Sequence, residues 1–183
     1  MRCFFFGSLM DREVAALVLD RSIDTGLLQA GILHGHERLV VAGETYPALA
    51  PRAGGKVTGL LVDEISAADI ARMQFFESSE FAPAACDIEL VSGGYVSAQT
   101  FLARAELEYS DQPWDYAHWQ RHDKRDYLVL VREWMSEYGR SEAHQLEAEW
   151  SGARRAQITR QEAAGEQHEQ HISGEKIMSK GFE

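Results

Sequence analysis

The sequence predicts an α+β domain followed by a helical C-terminal part. Through residue 105, short runs of apolar and branched side chains alternate with short segments of helical spacing. From residue 115 the pattern changes to that of an amphipathic helix. A chain of 183 residues with 45% hydrophobic residues is long enough for one core and an appendage. We therefore expect a domain at 1–108, a helical extension packed on it at 109–160, and a loose polar tail at 161–183.

The chain opens with a strand, a loop and a helix. The apolar run CFFF ends at Gly7, which predicts a strand covered on both faces. Asp11 is placed as the N-cap of a helix, with Glu13 in its first turn. Between them, Gly7 lets a ligand approach the backbone, and the amides of Gly7, Ser8 and Leu9 are candidate donors to an anion. Residues 7–9 are termed the amide loop below.

The middle of the chain reads as strands, then a helix, then a hairpin. Three runs at 25–33, 37–49 and 56–65 are rich in branched residues and predict three strands. Ser66 and Asp69 resemble a capping box, and the helix that follows places Ile70, Met73 and Phe76 on one face. Two apolar runs at 85–91 and 95–103 flank a Ser-Gly-Gly turn and predict a β-hairpin.

The stretch from Asp115 predicts one long helix that ends at Gly139, a C′ glycine. Its aromatic and aliphatic side chains follow one stripe, which is typical of a core or docking surface rather than of a cofactor site. The stripe consists of Tyr116, Trp119, Tyr127, Leu130, Val131, Trp134 and Tyr138.

Charge and composition exclude several classes of partner. With 29 acidic and 18 basic residues, the formal net charge of -11 repels a phosphate backbone, so we expect no nucleic acid partner. No apolar stretch approaches the roughly 20 residues of a membrane-spanning helix, and the first residues do not resemble a secretory signal. Cys3 and Cys86 lie in apolar, strand-like surroundings typical of unpaired thiols. We expect a soluble cytoplasmic protein without a membrane partner.

Other sites of chemistry are weakly supported. His168 and His171 lack a third metal ligand, and His118 and His122 lack the glutamate of an HExxH site, so no metal is predicted. Ser8 is not in a G-x-S-x-G nucleophile elbow, and no Walker-type phosphate loop is present in the sequence.

One carboxylate is a candidate acid or base. Glu77 comes at the end of the apolar stretch MQFFESSEF, where Phe75, Phe76 and Phe81 would place it in dry surroundings. Burial of this kind raises the pKa of a carboxyl group toward the range useful for proton transfer. The alternative is a solvated glutamate at a helix end, just as Gly7 and Ser8 alone are typical of an ordinary turn.

Four segments follow one another along the chain: FGSL at 6–9, YPAL at 46–49, GKVTGLL at 55–61 and MQFFESSEF at 73–81. In this order they resemble the motifs of the gamma-glutamyl cyclotransferase family. The resemblance covers residues 2 to about 105. Residues 114–127 also resemble the helical extension of the plant avirulence-induced-gene branch, which carries a W-x-x-x-x-W-x-x-x-x-K pattern.

The resemblance implies a small distorted β-barrel with helices at its side and release of 5-oxoproline from a gamma-glutamyl amine or amino acid. It assigns proton transfer to Glu77 and binding of the substrate α-carboxylate to the amide loop. Phe6, Tyr46 and Phe81 occupy its other substrate-binding positions. The family chemistry requires no cofactor.

Four positions depart from the family pattern: Phe6 and Phe81 replace tyrosines, Gln74 replaces an aspartate, and Ser78 replaces a glycine. These losses leave an alternative open, a small-molecule-binding or interaction protein that keeps the fold without turnover. In that case the C-terminal helix would dock a partner or form a homodimer. Transfer chemistry on another gamma-glutamyl compound is a third reading.

Overall fold

The computed structural model describes residues 1–143 and 145–146. Residues 1–143 form one compact unit, and residues 144–183 are assigned to a second. The predicted tail at 161–183 and the pair His168 and His171 lie outside the described residues. The predicted boundary at residue 108 stays a prediction.

The described part of the chain has six strands and four helices. The strands are β1 Cys3–Phe5, β2 Leu28–Val41, β3 Pro47–Val62, β4 Phe81–Leu90, β5 Tyr95–Ala103 and β6 Tyr109–Pro113. The helices are α1 Arg12–Leu19, α2 Ala67–Glu77, α3 Tyr116–His122 and α4 Lys124–Ser136. The strands form one sheet in the order β3-β1-β5-β4-β2-β6, and a further pairing of β3 with β2 closes the first five into a barrel. The predicted α+β barrel with flanking helices is confirmed.

The first strand lies inside the sheet, as its apolar sequence predicts. β1 pairs antiparallel with β3 and parallel with β5, and all three of its residues are buried. Gly59 of β3 crosses it so closely that a Cβ there would lie 2.3 Å from the Phe5 carbonyl oxygen. The second glycine of the GKVTG segment is therefore required for the close packing of β3 on β1.

The prediction of three strands between residues 25 and 65 is wrong, because the structure has two long ones. β2 continues through residues 28–41 and pairs with β3 along nearly its whole length. A register shift between His34 and His36 marks a β-bulge, with Gly35 at φ +76°. Such a bulge bends a strand without ending it, which explains why the glycine pattern suggested a strand end.

The two short helices begin where the sequence predicts. The Asp11 side chain accepts hydrogen bonds from the amides of Glu13 and Val14, and Ser66 and Asp69 form a complete capping box. The predicted apolar face of α2 is only partly right. Met73 is fully buried, but Ile70 and Phe76 are half-buried, whereas Asp69 and Phe75 are buried. Asp69 tolerates this position because Arg21 forms a 2.8 Å ion pair with its carboxylate.

The single long helix predicted from Asp115 is divided in two. α3 ends at His122 and α4 begins at Lys124, with Asp123 between them at φ -109°. Aspartate favours helix ends over helix interiors, which accounts for the division here. The aromatic stripe still faces inward, since Trp119, Tyr127 and Val131 are buried.

Strand β6 was not predicted. It pairs with β2 beside α3, but its sequence YSDQP has no apolar alternation and is mostly exposed. Within the residues that the structure describes, no helix is long and apolar enough to cross a bilayer.

Candidate active site

The amide loop connects β1 to α1 through a short 3₁₀ turn at Ser8–Met10. The amide of Met10 donates to the Gly7 carbonyl at 3.0 Å, and that of Asp11 to the Ser8 carbonyl at 2.9 Å. The amides of Ser8 and Leu9 precede these bonds, so the turn itself supplies no acceptor for them. Gly7 is sterically required, because a Cβ there would lie 2.9 Å from Cγ of Pro47.

Arg38 of β2 holds the start of this loop. Its Nη1 atom donates a 2.8 Å hydrogen bond to the Phe6 carbonyl, and its guanidinium lies 5.5 Å from the ring centre of Trp114. Burial lowers the pKa of Arg38. Arg38 was not predicted as a site residue, since a single arginine in a strand carries no pattern that distinguishes it from a surface charge.

Tyr127 of α4 reaches the amide loop from the other side. Its hydroxyl lies 3.1 Å from Oγ of Ser8, and both side chains are buried. Its ring contacts that of Tyr46 at a centroid distance of 6.3 Å and that of Trp119 at 5.4 Å. The aromatic stripe predicted this tyrosine as part of a core or docking surface, and its contact with Ser8 was missed.

Tyr46 lies directly before β3 and joins the loop region to the end of α2. Its hydroxyl donates a 2.8 Å hydrogen bond to Oε2 of Glu80, and its ring lies 6.4 Å from that of Phe81, centre to centre. Burial, with the negative charges of Glu44 and Glu80, raises the pKa of Tyr46. The phenol is therefore a hydrogen-bond donor and not a phenolate.

Glu77 is the last residue of α2. Part of the residue is accessible, but burial of its carboxylate raises the pKa to about 8, and the nearby charge of Glu80 acts in the same direction. No Arg, Lys or His among the described residues lies within ion-pair distance of it. Glu77 is thus a carboxyl group that holds its proton near neutral pH, as the apolar sequence around it predicts.

The backbone beside Glu77 is strained. Ser78 has φ +60° and ψ -152°, a region that is nearly exclusive to glycine. Its amide donates to the carbonyls of Gln74 and Phe75, which ends α2. The residue that replaces the family glycine thus keeps the backbone conformation that a glycine allows.

The structure brings most of the predicted site residues together. A chain of contacts runs from Ser8 through Tyr127 to Tyr46, and from Tyr46 to Glu80 and Phe81. Phe6 and Leu9 are buried, and Phe6 packs in the hydrophobic core of the barrel with Leu33 and Leu49. In the described part of the protein, no hydrogen bond or ion pair joins Glu77 directly to the amide loop.

The predicted W-x-x-x-x-W-x-x-x-x-K pattern fastens the helices α3 and α4 to the domain. Trp114 Nε1 donates to the Thr45 carbonyl at 2.8 Å, directly before Tyr46. Trp119 is fully buried. Lys124 forms an ion pair with Asp11, the N-cap of α1, at 2.9 Å. The pattern therefore fastens α3 and α4 at two places, beside Tyr46 and at the start of α1.

The described residues contain no group of three His, Cys, Asp or Glu side chains that could hold a metal ion. The rings of His118 and His122 lie 4.4 Å apart on the exposed face of α3, as expected of a solvated pair.

The model of one protein family, described as "Gamma-glutamyl cyclotransferase, AIG2-like", matches residues 3–121. The chain belongs to this family. Among curated proteins of Arabidopsis thaliana, it is 25% identical to AIG2-like protein C over 138 residues, covering 72% of this chain and 76% of that protein. It is 26% identical to protein AIG2 C over 123 residues, covering 64% of this chain and 70% of the relative.

The solved structures agree on the fold. The solution structure of an Arabidopsis thaliana protein superposes with a TM-score of 0.53 at 22% identity, covering 76% of this chain and 84% of that one. A second solution structure from the same plant also has a TM-score of 0.53, at 20% identity, covering 77% and 93% of the two chains. Family membership supports a gamma-glutamyl cyclotransferase-like function.

Proposed function

We propose that this protein is a cytosolic, cofactor-independent gamma-glutamyl cyclotransferase that releases 5-oxoproline from a gamma-glutamyl amine or amino acid. The observation that carries the proposal is the position and pKa of Glu77. The carboxyl group comes at the end of the family's helix motif, and burial raises its pKa to about 8. A group with a pKa near ambient pH both accepts and donates protons efficiently.

The reaction needs one carboxylate because the substrate supplies its own nucleophile. The α-amine attacks the γ-carbonyl carbon, a new carbon–nitrogen bond closes the five-membered ring, and the original amide bond breaks. Glu77 as a carboxylate takes a proton from the α-ammonium and returns one to the departing amine. Holding the substrate folded for this step avoids the entropy cost of a bimolecular reaction.

The amide loop is the proposed binding site for the α-carboxylate. The amides of Ser8 and Leu9 begin a turn that gives them no acceptor of its own, and such groups suit an anion. The neighbouring rings of Tyr46 and Phe81 are the proposed aromatic wall of the site, and Phe6, in the barrel core, is the third proposed substrate-binding side chain. The phenol of Tyr46 adds a hydrogen bond to Glu80, which lies close enough to Glu77 to affect its pKa.

The proposal is tested by incubating the protein with a panel of gamma-glutamyl amino acids and amines and measuring 5-oxoproline. We expect turnover by the wild type and a loss of at least about 100-fold in Glu77→Gln, the usual contribution of a general acid–base group. Glu89→Gln is the matched control, because Glu89 pairs with His34 elsewhere on the barrel. Full activity in Glu77→Gln would show that the base is wrongly assigned.

A second candidate is a non-catalytic protein that binds a partner or a second copy of itself through α4. Val129, on the outer side of that helix, is 49% exposed. If the protein is non-catalytic, a bound ligand should protect the amide loop without release of 5-oxoproline, or the protein should form a homodimer that Val129→Glu disrupts. Sizing by light scattering with and without this substitution separates it from the enzyme.

A further inference from the structure

Two side chains from distant parts of the chain hold the amide loop. Arg38 binds the Phe6 carbonyl at 2.8 Å, directly before the loop. Tyr127 bonds to Ser8 Oγ at 3.1 Å, inside the loop, across 119 positions of sequence. The family model ends its match at residue 121, so Tyr127 lies beyond the matched region.

The Tyr127 contact is buried and held from several sides. Its ring packs edge-on against Trp119, which is itself only 1% exposed, and lies against Tyr46. α4 is fastened nearby by the Lys124 ion pair with Asp11, three residues after Ser8. The phenol hydroxyl thus bonds to Ser8 from a buried and well-packed ring, and a buried polar network whose members are satisfied favours one arrangement of its groups.

We propose that Tyr127 is a positioning residue of the active site, through which α4 sets the orientation of Ser8 and of the amides of Ser8 and Leu9 for the substrate α-carboxylate. The inference rests on the proposed function. It makes the helical extension a part of the substrate-binding site and not only a support for the barrel. Because the Tyr127 hydroxyl is bonded to Ser8 in the amide loop, we expect it to affect substrate binding rather than the proton transfer by Glu77.

The experiment compares Tyr127→Phe with Tyr109→Phe. Both remove one phenol hydroxyl from the extension and keep the ring, but Tyr109 lies on β6 and is 41% exposed, whereas Tyr127 is buried against Ser8. We expect Tyr127→Phe to raise KM about fivefold, the worth of one net hydrogen bond, with kcat within about twofold of wild type. The pH at which kcat/KM falls on the acid side, which reports the pKa of Glu77, should be the same as in the wild type. Tyr109→Phe should change neither constant.

Amide hydrogen exchange at residues 7–10 gives a second readout that needs no turnover. We expect faster exchange there in Tyr127→Phe, with melting temperature close to that of wild type, and no change in Tyr109→Phe. Unchanged exchange in Tyr127→Phe would overturn the proposal. So would faster exchange with unchanged KM, because Tyr127 would then be merely structural.

The same design separates this inference from the proposed function. If the wild type releases no 5-oxoproline from any substrate, the proposed function fails. The effect of Tyr127→Phe is then measured as the dissociation constant for 5-oxoproline, followed by the chemical shifts of the loop amides. No binding by the wild type, or equal binding by wild type and Tyr127→Phe, also overturns the inference.

Discussion

The Tyr46 hydroxyl donates a 2.8 Å hydrogen bond to Oε2 of Glu80, and Glu80 is three residues beyond the candidate base Glu77. The two glutamates are coupled, because the charge of Glu80 raises the pKa of Glu77 beyond the effect of burial. Tyr46 keeps Glu80 in place by satisfying one of its oxygens. Tyr46 thus affects the proton-transfer group through a second carboxylate.

Glu80→Gln is expected to lower the pKa of Glu77. The substitution removes the negative charge and keeps an oxygen to accept the Tyr46 bond, so the geometry is retained. The acid limb of kcat/KM should move to lower pH, with about two- to fivefold higher activity at pH 6.5. Glu89→Gln is the control, since it removes a glutamate charge that is paired with His34 and not with the Tyr46–Glu80 pair. An acid limb that does not move in Glu80→Gln would contradict the coupling.

Activity should rise with pH as Glu77 loses its proton. In the free protein its pKa is about 8, so the carboxylate that accepts the ammonium proton is a minority form at neutral pH. We expect kcat/KM to increase about tenfold per pH unit below that value and to level off above it. A profile already flat from pH 6 upward would be incompatible with Glu77 as the base.

The same pKa predicts how stability depends on pH. The folded state raises the pKa of Glu77 from 4.5 to about 8, so the folded protein binds the extra proton between these values. Its contribution to stability is complete below pH 4.5 and is lost as the pH rises toward 8. Relative to Glu77→Gln, the wild type should therefore lose a few kcal/mol of unfolding free energy across this window, at about 1.4 kcal/mol per pKa unit. Urea denaturation at pH 5 and pH 8.5 measures the difference.

Ser78→Gly should stabilise the protein. Ser78 has φ +60° and ψ -152°, where a side chain costs of order 1–3 kcal/mol, partly offset by the greater freedom of glycine in the unfolded chain. We expect about 1 kcal/mol of added stability in urea denaturation and unchanged pH dependence of activity. Ser92→Gly, in the exposed β4–β5 turn at ordinary φ, should give no gain. A loss of stability in Ser78→Gly would mean that the serine side chain stabilises the folded protein by more than the backbone strain costs.

Short sequence patterns predicted the helix starts and turns, because these depend only on residues that are neighbours in the chain. Asp11 and the Ser66–Asp69 pair mark helix starts because capping needs only neighbouring amides, and Gly93 and Gly94 mark a turn because both have positive φ. The long strands β2 and β3 were divided wrongly because a bulge glycine and a terminal glycine look alike in sequence.

Only those residues of the candidate site whose surroundings come from one short segment of sequence could be predicted. The amide loop and Glu77 each lie within an apolar stretch that indicates their surroundings. Arg38 and Tyr127 could not be found in this way, because their partners lie 32 and 119 positions away along the chain. Contacts at such separation depend on closure of the barrel and on the docking of α4, which no local pattern encodes.

The ion pair between Lys124 and Asp11 should contribute measurably to stability. Asp11 is buried, and burial alone would raise the pKa of its carboxyl group. Hydrogen bonds from Lys124, Gln120 and the Glu13 amide outweigh this effect and lower the pKa below its usual value. Lys124→Met leaves the buried carboxylate with fewer partners, which should cost about 1–3 kcal/mol in urea denaturation at pH 7.

The contribution of Asp11 also has a defined pH dependence. Because its folded pKa is lowered, the stabilisation is present above the unfolded value near 4 and is lost as the pH falls below it. The difference between wild type and Lys124→Met should therefore shrink in acid. Lys56→Met, at an exposed position of β3 without an ion pair among the described residues, is the matched control and should cost nothing. Equal stabilities of Lys124→Met and Lys56→Met at pH 7 would show that the pair does not fasten α4 to the start of α1.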